Sequence, residues 1–242
     1  MPCIQSQSRE TGAVMRIQIT VAVCFTVLLS AGVFPAAEDD GFKSIFDGKT
    51  LTGWVQQGGK AIYKVENGEV VGTAVPDTPN SFLCTRKHYG DFVLELEFKV
   101  DSSLNSGVQI RSHVYEKDTT IEIRGKKRKK KAGTVYGYQV EIDPSERAYS
   151  GGVYDEARRG WLNDLGNNEA ARKAFRQGEW NKFRIVCKGE SIKTWLNGVP
   201  AADLKDSMTP RGFIALQVHG VGKHKDRVGK QVRWRKIRLK EL

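Results

Sequence analysis

Phe92, Leu94, Leu96, Phe98 and Val100 alternate with Val93, Glu95, Glu97 and Lys99 over nine residues. A period of two sustained this long marks a strand with one face on a core and the other facing water. The same alternation sets Val108, Ile110 and Val114 against Gln109, Arg111 and His113. It also sets Tyr138, Val140 and Ile142 against Gln139, Glu141 and Asp143. Shorter runs at 182–187, 191–196 and 212–218 continue the series. Turn strings such as Glu66-Asn67-Gly68-Glu69 and Asn197-Gly198 close the strands. One short amphipathic helix is predicted at 167–175, inside a long connection from Tyr154 to Gly178. Many short strands with a single helix predict an all-β, two-sheet antiparallel sandwich of jelly-roll type.

The polar phase of these strands collects Glu95, Glu97, Gln109, Arg111, His113, Gln139, Glu141, Asp143, Trp195, Gln217 and His219. If the strands are neighbours in one sheet, these side chains line its outer face. Carboxylates, amides and an Arg fork to sugar hydroxyls, a Trp stacks on a pyranose, and His or Glu moves protons. Any antiparallel sheet carries a polar outer face, and scattered Lys and Thr would serve. Acids, amides and imidazoles gathered on central strands favour a carbohydrate site. The expectation rests on register, because a slip of one residue turns a side chain inward.

Composition narrows the class. Of 242 residues, 39% are apolar and 28% charged, which excludes a disordered chain and leaves enough core for one sandwich. The N-terminus differs from the rest. Residues 17–34 (IQITVAVCFTVLLSAGVF) are apolar, follow Met15 and Arg16, and lead through Pro35-Ala36-Ala37 to an acidic stretch. That is the layout of a secretory signal, expected over residues 1–37 with a start at Met1 or Met15. As an uncleaved anchor the same run is marginal in length. The domain is then 38–242, exported to the periplasm, cell surface or medium, with no membrane contact beyond the signal. Cys84 and Cys187 remain in it, both inside apolar alternating runs, and are expected as buried thiols.

The net charge is +11, and its location is uneven. Residues 116–131 hold eight Lys or Arg against three acids, ending in the run Lys126 to Lys131. This basic insert is expected as a solvated loop tip between two strands. It could also grip a polyanion. No aromatic interleaves it, so specific nucleic-acid stacking is not suggested.

Glu141-Ile142-Asp143-Pro144-Ser145-Glu146 resembles the E-x-D-x-x-E strand of family 16 glycoside hydrolases, an endoglycanase reading in which Glu141 and Glu146 act. Pro144 departs from that pattern, because it ends a central strand and sends Glu146 into a turn. A longer set of motifs spans the domain. Phe46-Asp47-Gly48-Lys49-Thr50-Leu51-Thr52-Gly53-Trp54 is followed by Gly90-Asp91-Phe92, Asn105-Ser106-Gly107-Val108-Gln109-Ile110-Arg111 and Gly137-Tyr138-Gln139-Val140-Glu141-Ile142-Asp143. Gly178-Glu179-Trp180-Asn181, Trp195-Leu196-Asn197-Gly198-Val199 and Leu216-Gln217-Val218-His219 complete it. Together they resemble the 3-keto-disaccharide hydrolase domain family from about Gly41 to Leu242. The resemblance implies a concanavalin-like sandwich and cleavage of glycosides already oxidised at C3. It implies His219 as base, Arg111 as partner of an enolate, and Glu97 and Glu141 as ligands of sugar or of a divalent metal. Gln109, Gln139, Asp143, Trp195, Gln217 and His113 are the expected sugar contacts. A non-catalytic, lectin-like module on the same fold stays open beside the enzyme.

Overall fold

The computed structural model describes residues 40–123 and 125–242. The signal expected at 1–37 lies outside the described residues. All strand pairings are antiparallel. In spatial order, the first sheet runs β15 (Val199–Lys205), β14 (Ser191–Leu196), β13 (Asn181–Lys188), β6 (Phe92–Val100), β17 (Gln231–Glu241), β4 (Glu69–Thr73) and β3 (Ile62–Glu66). A short β1 (Lys43–Ser44) pairs with β17 beside it. The second sheet runs β12 (Gly160–Asn163), β11 (Val153–Glu156), β10 (Val135–Ile142), β7 (Ser106–Val114), β16 (Phe213–Val218), β5 (Ser81–Thr85) and β2 (Trp54–Gly58).

The two inner faces supply one core. Leu94, Leu96 and Phe98 of β6, Phe183 and Ile185 of β13, and Trp234 and Ile237 of β17 come from the first sheet. Val108 and Ile110 of β7, Tyr138 and Val140 of β10, and Leu216 and Val218 of β16 meet them from the second. The sequence alternation named these faces correctly, and each fully buried Leu, Ile, Val or Phe contributes roughly 1.5–3 kcal/mol. Cys84 and Cys187 are buried free thiols, and burial pushes Cys187 up to about 12. Helix α1 (Glu169–Ala174) starts where Asn168 Oδ1 accepts the Ala171 N–H at 3.1 Å.

Two expectations change here. The connection after Tyr154 is not irregular up to the helix, since β11 and β12 extend the second sheet through it. The basic insert is not a loop tip. β8 (Thr119–Ile123) and β9 (Lys126–Lys130) form a separate two-stranded hairpin. Thr119, Thr120, Ile121 and Ile123 are β-branched strand formers, and Gly125 takes a φ of +72° at the turn.

Candidate active site

The polar phase divides between two outer faces, because β6 and β14 belong to the first sheet and β7, β10 and β16 to the second. Glu97 therefore stands apart from Glu141 and His219. It accepts hydrogen bonds from Arg235 Nε at 2.7 Å and Lys236 Nζ at 2.8 Å, on the outer face of the first sheet. Glu95 shares that face with Lys182, Arg184 and Arg238. Burial alone would raise its pKa, but hydrogen bonds from these three cations hold it at about 2. Trp195 is also on the first sheet, opposite Arg184 and Pro200. Glu97 and Glu141 cannot share one metal or one sugar. Among the described residues no group of three or more His, Cys, Asp or Glu converges as a metal site.

Arg111 is displaced by a bulge. Both partners of β7 shift register beside it, and Arg111 itself takes a φ of +47°. The extra residue turns its side chain away from the outer face. It is fully buried, where it donates to Gly90 O (2.7 Å), Gly189 O (2.7 Å) and Asp91 Oδ1 (2.8 Å). Arg111 thus ties the second sheet to loops of the first and does not reach a cleft. His113 lies six residues along β7 from Gly107, about 20 Å away at strand rise. Its Nε2 is 2.7 Å from Arg211 O, and its ring packs against His88 and Tyr136.

The remaining candidates come together at the other end of these strands. One row across the second sheet reads Gln57, Phe82, Gln217, Gly107, Glu141, and the next row brings Gln109 beside Gln139 and Gln139 beside Tyr154. A cleft of ≈ 660 Å³ opens over them, lined among others by Asn80, Asn105, Gln139, Glu141, Asp143, Arg147, Tyr154, Glu156, Trp161 and His219. Gly107 makes the floor possible. A Cβ there would stand 2.5 Å from Gln139 Cγ and Cδ, so only glycine lets Gln139 fold across it. Gln139 then accepts from Gln109 Nε2 at 2.8 Å and donates to Glu141 Oε2 at 2.8 Å. Asn105 Nδ2 donates to the other oxygen, Oε1, at 2.8 Å. Gln217 is fully buried on this sheet, and neither its Nε2 nor its Oε1 has a partner among the described residues. An unpaired buried amide costs about 1–3 kcal/mol.

The charges in the cleft are tuned in different directions. Burial raises Glu141, against the hydrogen bonds from Asn105 and Gln139 that favour its ionised form. Glu156 is pushed up to about 7, first by burial and then by the charge of Glu141. Burial also works to raise Asp143, but hydrogen bonds from Ser145, Arg147 and the Tyr149 N–H hold it below the ordinary range. His219 is lowered by burial, so its imidazole is neutral at pH 7. Its Nδ1 lies 2.8 Å from Gly220 O. A carbonyl can only accept, so Nδ1 carries the proton and Nε2 keeps a free lone pair. The wall opposite is aromatic and cationic. Trp161 packs edge-on against Tyr149 and Tyr154 with centroids 5.3 Å apart, and the Arg147 guanidinium lies 5.2 Å from the Trp161 ring.

Glu156, Trp161, Tyr154, Arg147, Asn80 and Asn105 are cleft residues that periodicity did not single out. β11 is four residues long, too short for a pattern, although Val153 and Asp155 do alternate with Tyr154 and Glu156. Arg147 comes from the turn after Pro144. Glu146 is exposed in that turn and does not line the cleft, so the Glu141/Glu146 pair of the endoglycanase reading is not assembled.

Residues 41–240 match the 3-keto-alpha-glucoside-1,2-lyase-like domain family. A 3-keto-disaccharide hydrolase of Bacteroides thetaiotaomicron is 26% identical over 267 residues, covering 92% of this chain and 87% of that protein. Among solved structures, a protein provisionally assigned as a glycosyl hydrolase from Parabacteroides distasonis superposes with a TM-score of 0.55 at 20% identity. That match covers 86% of this chain and 98% of the other. A Bacillus subtilis protein with a galectin-like fold gives 0.55 at 11% identity, covering 83% and 98%. The carbohydrate-binding module CBM66 of Bacillus subtilis gives 0.51 at 13% identity, covering 78% and 96%. These likenesses show the sandwich fold.

Proposed function

The chain belongs to the 3-keto-alpha-glucoside-1,2-lyase-like domain family, and from that premise we propose that it is an exported carbohydrate-active enzyme. Its reaction is cleavage of glycosides that carry a ketone at C3, in the cleft around Glu141, Glu156 and His219. One observation carries the reading: a neutral imidazole with a free Nε2 opens into the same cleft as a carboxyl pushed up to about 7.

A C3 carbonyl acidifies the hydrogen on C2. His219 Nε2 takes that proton, and the C2–H electron pair moves into the enolate of the C3 ketone. Arg147 is the cation among the described lining residues and stands ready to hold the enolate oxygen. The enolate then re-forms the ketone, its C2=C3 pair becomes a C1=C2 double bond, and the C1 substituent is pushed out. The C1–O bond breaks with its pair on the leaving oxygen, and protonated Glu156 supplies the proton. Addition of water at C1 and return of a proton to C2 complete a net hydrolysis. Trp161 offers the stacking surface for the sugar ring, and the Asn80 and Asn105 amides face its hydroxyls.

The test incubates the protein with a 3-keto-glucoside and with its unoxidised parent, following aglycone release. Release from the keto compound alone, reduced about 10²–10⁴-fold in His219→Ala, is expected. Release from the parent alone, or from neither, refutes the reading, and saturable sugar binding without turnover would leave a lectin-like module. Export is checked by the intact mass of protein recovered from the medium or periplasm of a secreting host. A mass that includes residues 17–34 would mean an anchor.

A further inference from the structure

The β8–β9 hairpin has two unlike faces. Register pairs Thr119 with Lys130, Ile121 with Arg128 and Ile123 with Lys126, so Lys126, Arg128 and Lys130 project on one side and Lys127 and Lys129 on the other. The first three line a chamber of ≈ 400 Å³, closed on the opposite side by Tyr154, Arg158 and Arg159 of the β11–β12 hairpin. No carboxylate is among its described lining residues.

The chamber's charges are not alike. Arg158 is held by Asp155, and Arg159 by Asp155 and Asp206, so these two guanidiniums are already balanced. Lys131, at the end of the hairpin, is taken by Asp118. Lys126, Arg128 and Lys130 form no ion pair among the described residues. Three like charges without an ion pair thus face a recess of ligand size. The recess adjoins the cleft, because Tyr154 lines both. Lys130 also feels Glu156: burial lowers the lysine, Glu156 opposes that, and Arg128 adds to it.

We propose that this chamber is an anion subsite, so that the glycoside bound in the cleft carries an ionised group on the sugar unit next to the scissile bond. The class is a uronic acid, a sulfated sugar or a phosphorylated sugar. Their shared chemistry is a compact anion that Lys and Arg reach by charge-assisted hydrogen bonds. Neutral glycans would leave the three cations facing one another. The volume suits one sugar unit rather than a long polyanion, and among the described residues the aromatic at its border is Tyr154 alone, so stacked bases are not favoured. The inference rests on the cleft being the sugar site but not on the ketone chemistry.

Binding by titration calorimetry separates the two. The probes are glucosyl-glucuronic acid, a 6-O-sulfated glucosyl-glucose, unsubstituted glucosyl-glucose and inorganic sulfate. At low salt both charged disaccharides should bind at least about tenfold tighter than the neutral one, and the advantage should shrink as salt rises. In Lys126→Gln/Arg128→Gln/Lys130→Gln, with folding checked by circular dichroism, the advantage should collapse. Lys127→Gln/Lys129→Gln removes charge from the outer side of the same hairpin and should keep it. If only one charged disaccharide binds tighter, that identifies the source of the anion. Equal or absent binding of charged and neutral probes overturns the proposal. So does an advantage that survives the triple variant or is lost in the double one. Inorganic sulfate binding as tightly as the charged sugars would mean an ion site and not a glycan subsite. A protein that shows the preference but never cleaves a 3-keto-glucoside would lose the proposed reaction and keep the subsite.

Discussion

Gly107→Ala is a one-carbon change whose cost can be worked from the floor of the cleft. The new Cβ would stand 2.5 Å from Gln139 Cγ and Cδ and 2.9 Å from its Nε2, too close for any of them to stay. Those atoms lie near the root of the side chain, so Gln139 must change χ1 and leave the floor. It then loses the bond from Gln109 Nε2 and its own bond to Glu141 Oε2, both 2.8 Å and both buried. Orphaning a buried partner costs about 1–3 kcal/mol, so two such losses give a destabilisation of about 2–6 kcal/mol. The gain in strand propensity from Gly to Ala recovers at most about 1 kcal/mol. The assay is urea unfolding of wild type, Gly107→Ala, Gln139→Ala and the double variant. Once Gln139 is truncated the clash is gone, so Gly107→Ala should cost less than about 1 kcal/mol in that background, a coupling of about 2 kcal/mol or more. An equal cost in both backgrounds would show that the glycine serves its own backbone and not the glutamine above it.

Glu156 should make stability depend on pH in a definite direction. Its folded pKa is raised from 4.5 to about 7, so the native state holds the proton more tightly. The penalty is absent below about pH 4.5, grows through the interval and is full above pH 7, where it reaches about 3 kcal/mol. Glu156→Gln should therefore stabilise the fold more at pH 8 than at pH 5 in urea unfolding, and an equal effect at both would refute the assignment. Arg111→Met, which removes a buried guanidinium from Asp91 and two carbonyls, should cost about 3–5 kcal/mol while the folded fraction still binds sugar. Loss of binding without loss of stability would return Arg111 to the cleft. Trp161→Ala should weaken sugar binding measured by calorimetry, whereas Trp195→Ala and Glu97→Gln, both on the other sheet, should leave it within twofold.

Alternation was legible wherever a strand was long. β6 and β7 have nine residues each and β10 has eight, and the apolar phase of each reaches the main core through Leu94, Leu96, Phe98, Val108, Ile110, Tyr138, Val140 and Ile142. Gln109, Gln139 and Glu141 on the opposite phase are buried as well, and Val114, past the bulge, packs on Val135 and Phe213 instead. What alternation does not carry is the identity of a strand's neighbours. β6 and β7 follow one another in the chain and show the same pattern, yet they enter different sheets, which separates Glu97 from Glu141. Nor does it announce a bulge. Arg111 continues the polar phase of Gln109 by count, and one residue at positive φ sends it inward. Glu156 and Trp161 were hidden for a third reason. Their strands span four residues each, where a period of two cannot be told from chance, and their place at the cleft is decided by pairing, β11 on β10 and β12 on β11.

The last strand has a consequence for when the fold can form. β17, made from Gln231–Glu241, lies inside the first sheet between β6 and β4, and β1 from the beginning of the domain also pairs with it. A chain emerging from the ribosome has neither the centre of that sheet nor Trp234 in its core until β17 is free. Until then β6 and β4 expose open edges, and the contacts that close them span most of the sequence, which makes closure slow. Whatever binds the growing chain in its unfolded state, a chaperone or a secretion machine, therefore has until β17 emerges in which to do so.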